Sequence, residues 1–175
     1  MVPLNTVFFG FVILFAIVGA LRGWAKELLV TFSVILARFI EYISLEYVPV
    51  LNNALNALQD RAWFFLRVVA FGLLVSFGYA TTLLSSKLGS RARKEKFQDT
   101  LLGIFLGAIN GYLVTGYLWG FLHELEYGIW GITGPQSEQV RNMLAYLPTA
   151  WLEGNEVILF IAVAVSFSFV LIVFV

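Results

Sequence analysis

Five stretches of this chain run close to the thickness of a bilayer with few charged residues or none: residues 4–21, 28–47, 62–84, 101–122 and 157–175. A helix rises about 1.5 Å per residue, so roughly 20 apolar residues cross the 30 Å or so of hydrocarbon. Composition agrees: 60% of the 175 residues are apolar and 13% are charged, outside the range of ordinary globular domains. The chain is therefore predicted to be an all-α, polytopic transmembrane bundle of four to five helices, forming a single membrane domain over 1–175. The first run lacks the basic leader of a signal peptide and reads as a retained helix. The second meets Arg38 and Glu41 partway along, which leaves open whether it crosses fully.

Eleven basic and eleven acidic residues cancel, so no electrostatic footprint for nucleic acid is expected. What carries information is where the charges fall. The loop 85–98 holds Lys87, Arg91, Arg93, Lys94 and Lys96, and the elbow LRGWAKE adds Arg22 and Lys26. Short cytoplasmic loops accumulate lysine and arginine. These seven are therefore expected inside, with Arg61 and Arg141 opposite, the N-terminus outside and the C-terminus cytoplasmic. The same basic loop is dense enough to attract anionic lipid. Arg38 and Arg67 are expected to snorkel toward the outer face.

The stretch DTLLGIFLGAINGYLVTGYLWGF places Gly103, Gly107 and Gly111 four residues apart and repeats that spacing at Gly116 and Gly120. Glycine costs about 1 kcal/mol against alanine in a water-exposed helix. In lipid, however, small residues let helix backbones approach and gain van der Waals contact. The two rows are displaced by five residues and face different directions, so the fourth helix can offer grooves to two neighbours. Those neighbours are either helices of the same chain or helices of another, in a homo-oligomer or a larger membrane complex.

Polar residues within the apolar runs are costly and each warrants a role. Arg38 and Glu41, three residues apart on one helix face, can pair. With Arg67 and Asn110 they read either as a polar constriction or as an interfacial anchor. Arg22 and Glu27 flank a turn that Gly23 permits, either closing the turn or contacting a lipid headgroup. Asp99 or Thr100 can cap the first amides of the glycine helix.

No cysteine is present, and His123 is the only histidine, so no protein-only zinc or iron site is expected. As an axial ligand to haem or a chlorin His123 would stand alone. Nothing resembles a catalytic set, and the chain is expected to be non-enzymatic and without a bound cofactor. Its 17 phenylalanines suit lipid, a quinone tail or a pigment equally well.

Between the fourth and fifth runs, residues 125–156 are too polar to span. Pro135 and Ser137 are helix-start residues. Val140, Met143, Leu144 and Leu147 then share one apolar face, with Gln139, Arg141 and Asn142 opposite. The segment reads as an amphipathic helix lying on the outer surface, with Trp130, Tyr146 and Trp151 at headgroup depth, or as a lid packed on the bundle.

Gly19, Arg22, Gly23 and Glu27 in GALRGWAKELL form a G-x-x-R-G-x-x-x-E pattern, and Asp99, Gly103, Gly107 and Gly111 form D-x-x-x-G-x-x-x-G-x-x-x-G after a basic loop. In order and spacing both resemble the colicin V production protein family, over roughly residues 4–150. The resemblance implies a bacterial inner-membrane protein of about four helices, associated with toxin production or export and with envelope homeostasis, without established enzymatic activity. The fifth run lies outside that pattern. Two other functions remain expectations beside it: an accessory subunit of a respiratory or photosynthetic membrane complex, and a small channel or transporter.

Overall fold

The computed structural model describes residues 3–84, 96–129, 131–152 and 155–174. Its elements follow in chain order: α1 (Leu4–Arg22), α2 (Trp24–Tyr47), α3 (Pro49–Asn56), α4 (Asp60–Leu84), α5 (Lys96–Glu124), α6 (Glu138–Met143) running into a 3₁₀ turn (Leu144–Tyr146), α7 (Pro148–Trp151) and α8 (Glu156–Phe174). No strand is present among the described residues. Four helices, α1, α2, α4 and α5, are long and apolar enough to cross a membrane, and α8 is a shorter apolar helix.

The observed boundaries differ from the expected ones for physical reasons. At 24 residues α2 is long enough to span, and it begins at Trp24 rather than 28. Gly23 makes the turn with φ +87°, a conformation glycine adopts without strain, so the chain re-enters at once and carries Glu27 inside with it. Helix α5 starts at Lys96 rather than 101, which puts Asp99 in its first turn. The short helix α3, opened by Pro49, was not expected as an element. Lys87, Arg91, Arg93 and Lys94 lie outside the described residues, as do Trp130 and Glu153. Lys96 is the first residue of α5.

The bundle has two centres. Helix α5 packs along most of α1, and α2 packs on α4, α5 and α8. Val30, Val34, Phe71, Val75, Leu113, Tyr117 and Phe121 form the core where α2, α4 and α5 meet. Antiparallel to α2, α8 seats Phe160 against Phe39 and Tyr42, and Phe167 against Phe32.

Glycines set the closest approaches. A Cβ on Gly19 of α1 would strike the Gly103 carbonyl and come within 2.8 Å of the Gly107 Cα. A Cβ on Gly107 would strike the Phe15 carbonyl, and one on Gly111 would come within 2.8 Å of the Val12 Cα. These neighbours are backbone, which cannot step aside. Gly116 and Gly120 face elsewhere: they accept Pro148 and the Thr149 side chain of α7. The two rows thus meet two different elements, both in the same chain.

The segment between α5 and α8 packs on the bundle, the second of the two arrangements its sequence allowed. Its regular part, α6, is six residues long, and its apolar face turns onto the bundle: Leu147 is buried with Phe8 and Trp119, and Val140, Met143 and Leu144 pack around them. The following turn reaches further in. The Tyr112 hydroxyl donates to the Tyr146 carbonyl and accepts from the Trp151 indole at 2.7 Å. Tyr112 stands twelve residues before Glu124, about 18 Å down the α5 axis. Local bonds from Leu147, Ala150 and Leu152 N–H groups to Leu144, Leu147 and Pro148 carbonyls satisfy the backbone at that depth. The Tyr146 backbone and the Trp151 indole are thus hydrogen-bonded to α5, while both side chains keep exposed surface.

Gly107→Leu, measured as the thermal midpoint of the detergent-solubilised protein, should be destabilised by about 1–3 kcal/mol or more, the cost of overpacking a closed contact. Gly10 has open space around its missing side chain. Gly10→Leu should leave the midpoint within about 0.5 kcal/mol of the parent. Equal losses in the two variants would mean that the close α1–α5 approach does not set the stability of the bundle.

Candidate functional site

Polar side chains inside the bundle gather into two separate clusters. The first lies toward the end of the bundle where Arg22 and Asp99 sit. Gly23 has no side chain, and the Asp99 carboxylate fills the space a Cβ would need. From there it accepts the Trp24 N–H at 3.1 Å, the first amide of α2. Asp99 therefore caps a neighbouring helix, α2, a partner its place before the glycine ladder did not announce. Its negative charge lies at the positive ends of two helix dipoles, α2 and α5.

One turn further in, Glu27 is fully buried. Each of its carboxylate oxygens has a partner: Arg22 Nη1 at 2.8 Å on Oε1, and Asn110 Nδ2 at 2.8 Å on Oε2. Asn110 also donates to the Glu27 carbonyl at 2.9 Å and accepts from the Thr31 hydroxyl at 2.7 Å. The Arg22 guanidinium lies over the Tyr79 ring, 4.2 Å from its centre. A buried carboxylate without partners would cost several kcal/mol. Here an arginine neutralises its charge and an asparagine satisfies its remaining oxygen.

Four helices meet in this cluster. Arg22 comes from the end of α1, Glu27 and Thr31 from α2, Tyr79 from α4, and Asn110 from α5. The two glycine-and-charge patterns of the sequence thus meet in space: Gly19 on Gly103 and Gly107, and Gly23 on Asp99. Thr31 was not anticipated, although it sits one turn after Glu27 on the same face. The Tyr79 contact leaves no trace in spacing.

The second cluster is near the opposite end. Arg38 pairs with Glu41, as the spacing allowed, and Glu41 also accepts from Arg67 Nε at 2.7 Å. Arg67 Nη1 reaches Glu124 at the end of α5. Both arginines lie on aromatic faces: Arg38 over Tyr117 and Phe121, Arg67 over Phe121 at 4.2 Å and Trp63 at 5.4 Å. Desolvated cation–π contacts of this kind contribute about 2 kcal/mol each.

This geometry corrects one expectation. Arg38 and Arg67 are 4% and 8% exposed, held by carboxylates and rings, with Arg67 reaching the Glu124 end of α5. Asn110 does not join them. It belongs to the Glu27 cluster, because it follows α5 toward Asp99 while Arg67 meets the Glu124 end. Glu124 is a member that spacing could not reveal, since it is 57 residues from its partner.

His123 is exposed and packs on the Tyr127 ring, with centres 5.7 Å apart. No group of three or more metal-ligating side chains is found among the described residues.

Asn110→Leu keeps size but strands the second Glu27 oxygen, while the Thr31 hydroxyl keeps the Glu27 carbonyl as acceptor. Thermal unfolding in mild detergent should show a loss of about 1–3 kcal/mol, the cost of an unsatisfied buried polar group. A midpoint unchanged from the parent would mean that Glu27 finds another partner.

No curated protein and no solved structure matches this chain. A family model does: colicin V production protein, over residues 4–125 of the 175. That span contains α1 to α5, both buried clusters, and every member of the G-x-x-R-G-x-x-x-E and D-x-x-x-G-x-x-x-G-x-x-x-G patterns. The chain is a membrane-spanning member of the colicin V production protein family.

Proposed function

We propose that the chain is a non-enzymatic assembly protein of the bacterial inner membrane, with its N-terminus outside and C-terminus cytoplasmic, working by helix–helix association in toxin production or export or in envelope maintenance. One observation carries this reading. The close-contact glycine faces and the buried ion pairs of Glu27 and Glu41 find their partners within the chain, while whole faces of the outer helices are apolar and exposed. Association would then use the outward sides of α1 and α8, such as Ile13, Ile17, Ile161 and Phe169. Glu27, Arg22, Asp99 and the glycines would act from inside, by holding these helices at fixed spacing. The basic stretch with Lys87, Arg91, Arg93, Lys94 and Lys96 would meet anionic lipid on the cytoplasmic side.

A second reading, an accessory subunit of a respiratory or photosynthetic complex, draws on α8. This helix follows the family-matched span and packs on α2 by one face, leaving the other free for a larger partner. Quinone or pigment contact would come through such a partner. An ion path has less support, because buried Val34, Phe71, Val75 and Leu113 lie in the core between the two polar clusters.

Photo-crosslinking residues placed at Ile161, Phe169 and, as an interior control, Leu113 would separate these. Membrane-protein adducts at the first two and none at Leu113 are expected. Absorption spectroscopy of the mildly solubilised complex then divides the readings: a haem, chlorin or quinone signal selects the accessory subunit. Adducts to lipid alone at both positions would overturn assembly through α8.

A further inference from the structure

Two cavities meet at Arg67. One, of about 190 Å³, lies at the Glu124 end between α4 and α5; Asp60, Arg67 and Glu124 line it with Phe121 and Leu125. The other, of about 220 Å³, lies between α2 and α4 beneath α3; Ile40, Leu51, Leu55, Leu66 and Leu74 make it apolar. Trp63 and Arg67 belong to both walls, so a polar chamber and an apolar cleft stand on either side of one guanidinium and one indole. Asp99 and Glu124 are 25 residues apart on α5, about 37 Å along its axis, against roughly 30 Å of hydrocarbon. The polar chamber is therefore at the membrane boundary, and the cleft runs into the lipid layer.

We propose that these paired cavities bind a lipid whose headgroup carries a phosphate next to a primary ammonium, of the phosphatidylethanolamine type. The charges in the chamber select that head. Arg67 offers an anion site, while Asp60 and the half-exposed Glu124 offer two carboxylates to a cation. A purely anionic head would meet both carboxylates at close range, and a purely cationic one would meet Arg67. The zwitterion complements both signs. Its phosphate takes Arg67 Nη1 in place of Glu124, and its ammonium takes the released Glu124 and Asp60. Glu41 keeps the Nε side of Arg67 throughout, so the guanidinium stays oriented. A primary ammonium has three N–H donors to give to carboxylates. A trimethylated one has none, and this distinguishes ethanolamine from choline heads. One acyl chain then lies in the cleft along Leu66 and Leu74. This site is independent of the assembly role proposed above and involves no chemical step.

Trp63 reports on occupancy because it lines both cavities. The full chain would be placed in nanodiscs of a neutral host lipid, with phosphatidylethanolamine, phosphatidylcholine or phosphatidylglycerol brominated on the acyl chains. Quenching by each would be compared between the parent and Trp63→Phe to isolate the Trp63 signal. Quenching of Trp63 should reach half its maximum at a lower mole fraction of the ethanolamine lipid than of the other two. Glu124→Gln should reduce that preference about fivefold, the scale of one half-exposed ion pair. Asp60→Asn, at an exposed position that begins α4, provides the same reading should Glu124→Gln fail to fold. Equal quenching by all three lipids would mean ordinary annular lipid and would overturn the site. A preference for phosphatidylglycerol would overturn the zwitterionic selection and leave Arg67 as a plain anion contact. An unchanged preference in both carboxylate variants would also sink it.

Discussion

The approach of α1 to α5 at Gly19, Gly103 and Gly107 is the constraint from which much of this structure follows. Backbone faces backbone there, and no side chain of any size fits between. With that distance set, the end of α1 is carried to the start of α5, Gly23 comes onto Asp99, and α2 begins under the Asp99 carboxylate. The placement of α2 then brings Glu27 opposite Asn110. A contact that gains only van der Waals energy thus determines where a buried charge finds its partners.

The two polar clusters solve the same problem differently. Around Glu27 one acid is answered by one arginine and neutral hydrogen-bonding groups, with Glu27 and Asn110 fully enclosed. Around Arg67 two arginines and two carboxylates alternate along a chain that ends at half-exposed Glu124. The first resembles a rivet between α1, α2 and α5. The second ties α2 to α4 and α5 while keeping one end in contact with the boundary, where exchange of partners costs less.

Much of the membrane architecture was legible because it depends on composition and length, which a single sequence carries in full. Apolar runs of the right length announced the spanning helices, and the family patterns stood out through Gly19, Arg22, Glu27 and Asp99. Partner identity was less legible. Asn110 and Arg67 look alike in sequence, as lone polar residues in apolar runs, yet they lie at different depths and join different clusters. Depth depends on where each helix starts, and the start of α5 at Lys96 rather than 101 is a boundary detail that hydropathy does not resolve. The segment after α5 reads equally as surface-lying or as a lid, because its period is helical and its composition amphipathic. What turns it inward is a pair of glycine notches on another element, matched to Pro148 and Thr149, and no local signal encodes such a match.

The dependence of α1 on α5 has a consequence for biogenesis. Helix α1 leaves the ribosome before α5, and this principal partner is complete only 102 residues later, at Glu124. At ordinary synthesis rates that is a wait of roughly 5–20 s. During it α1 has little of α2 to lean on and must stay in the bilayer by its own apolar character, which the absence of charge from Leu4 to Leu21 supplies. The open glycine face of α1 is then a docking surface held in reserve, and the order of synthesis makes the last family-matched helix the one that closes the bundle.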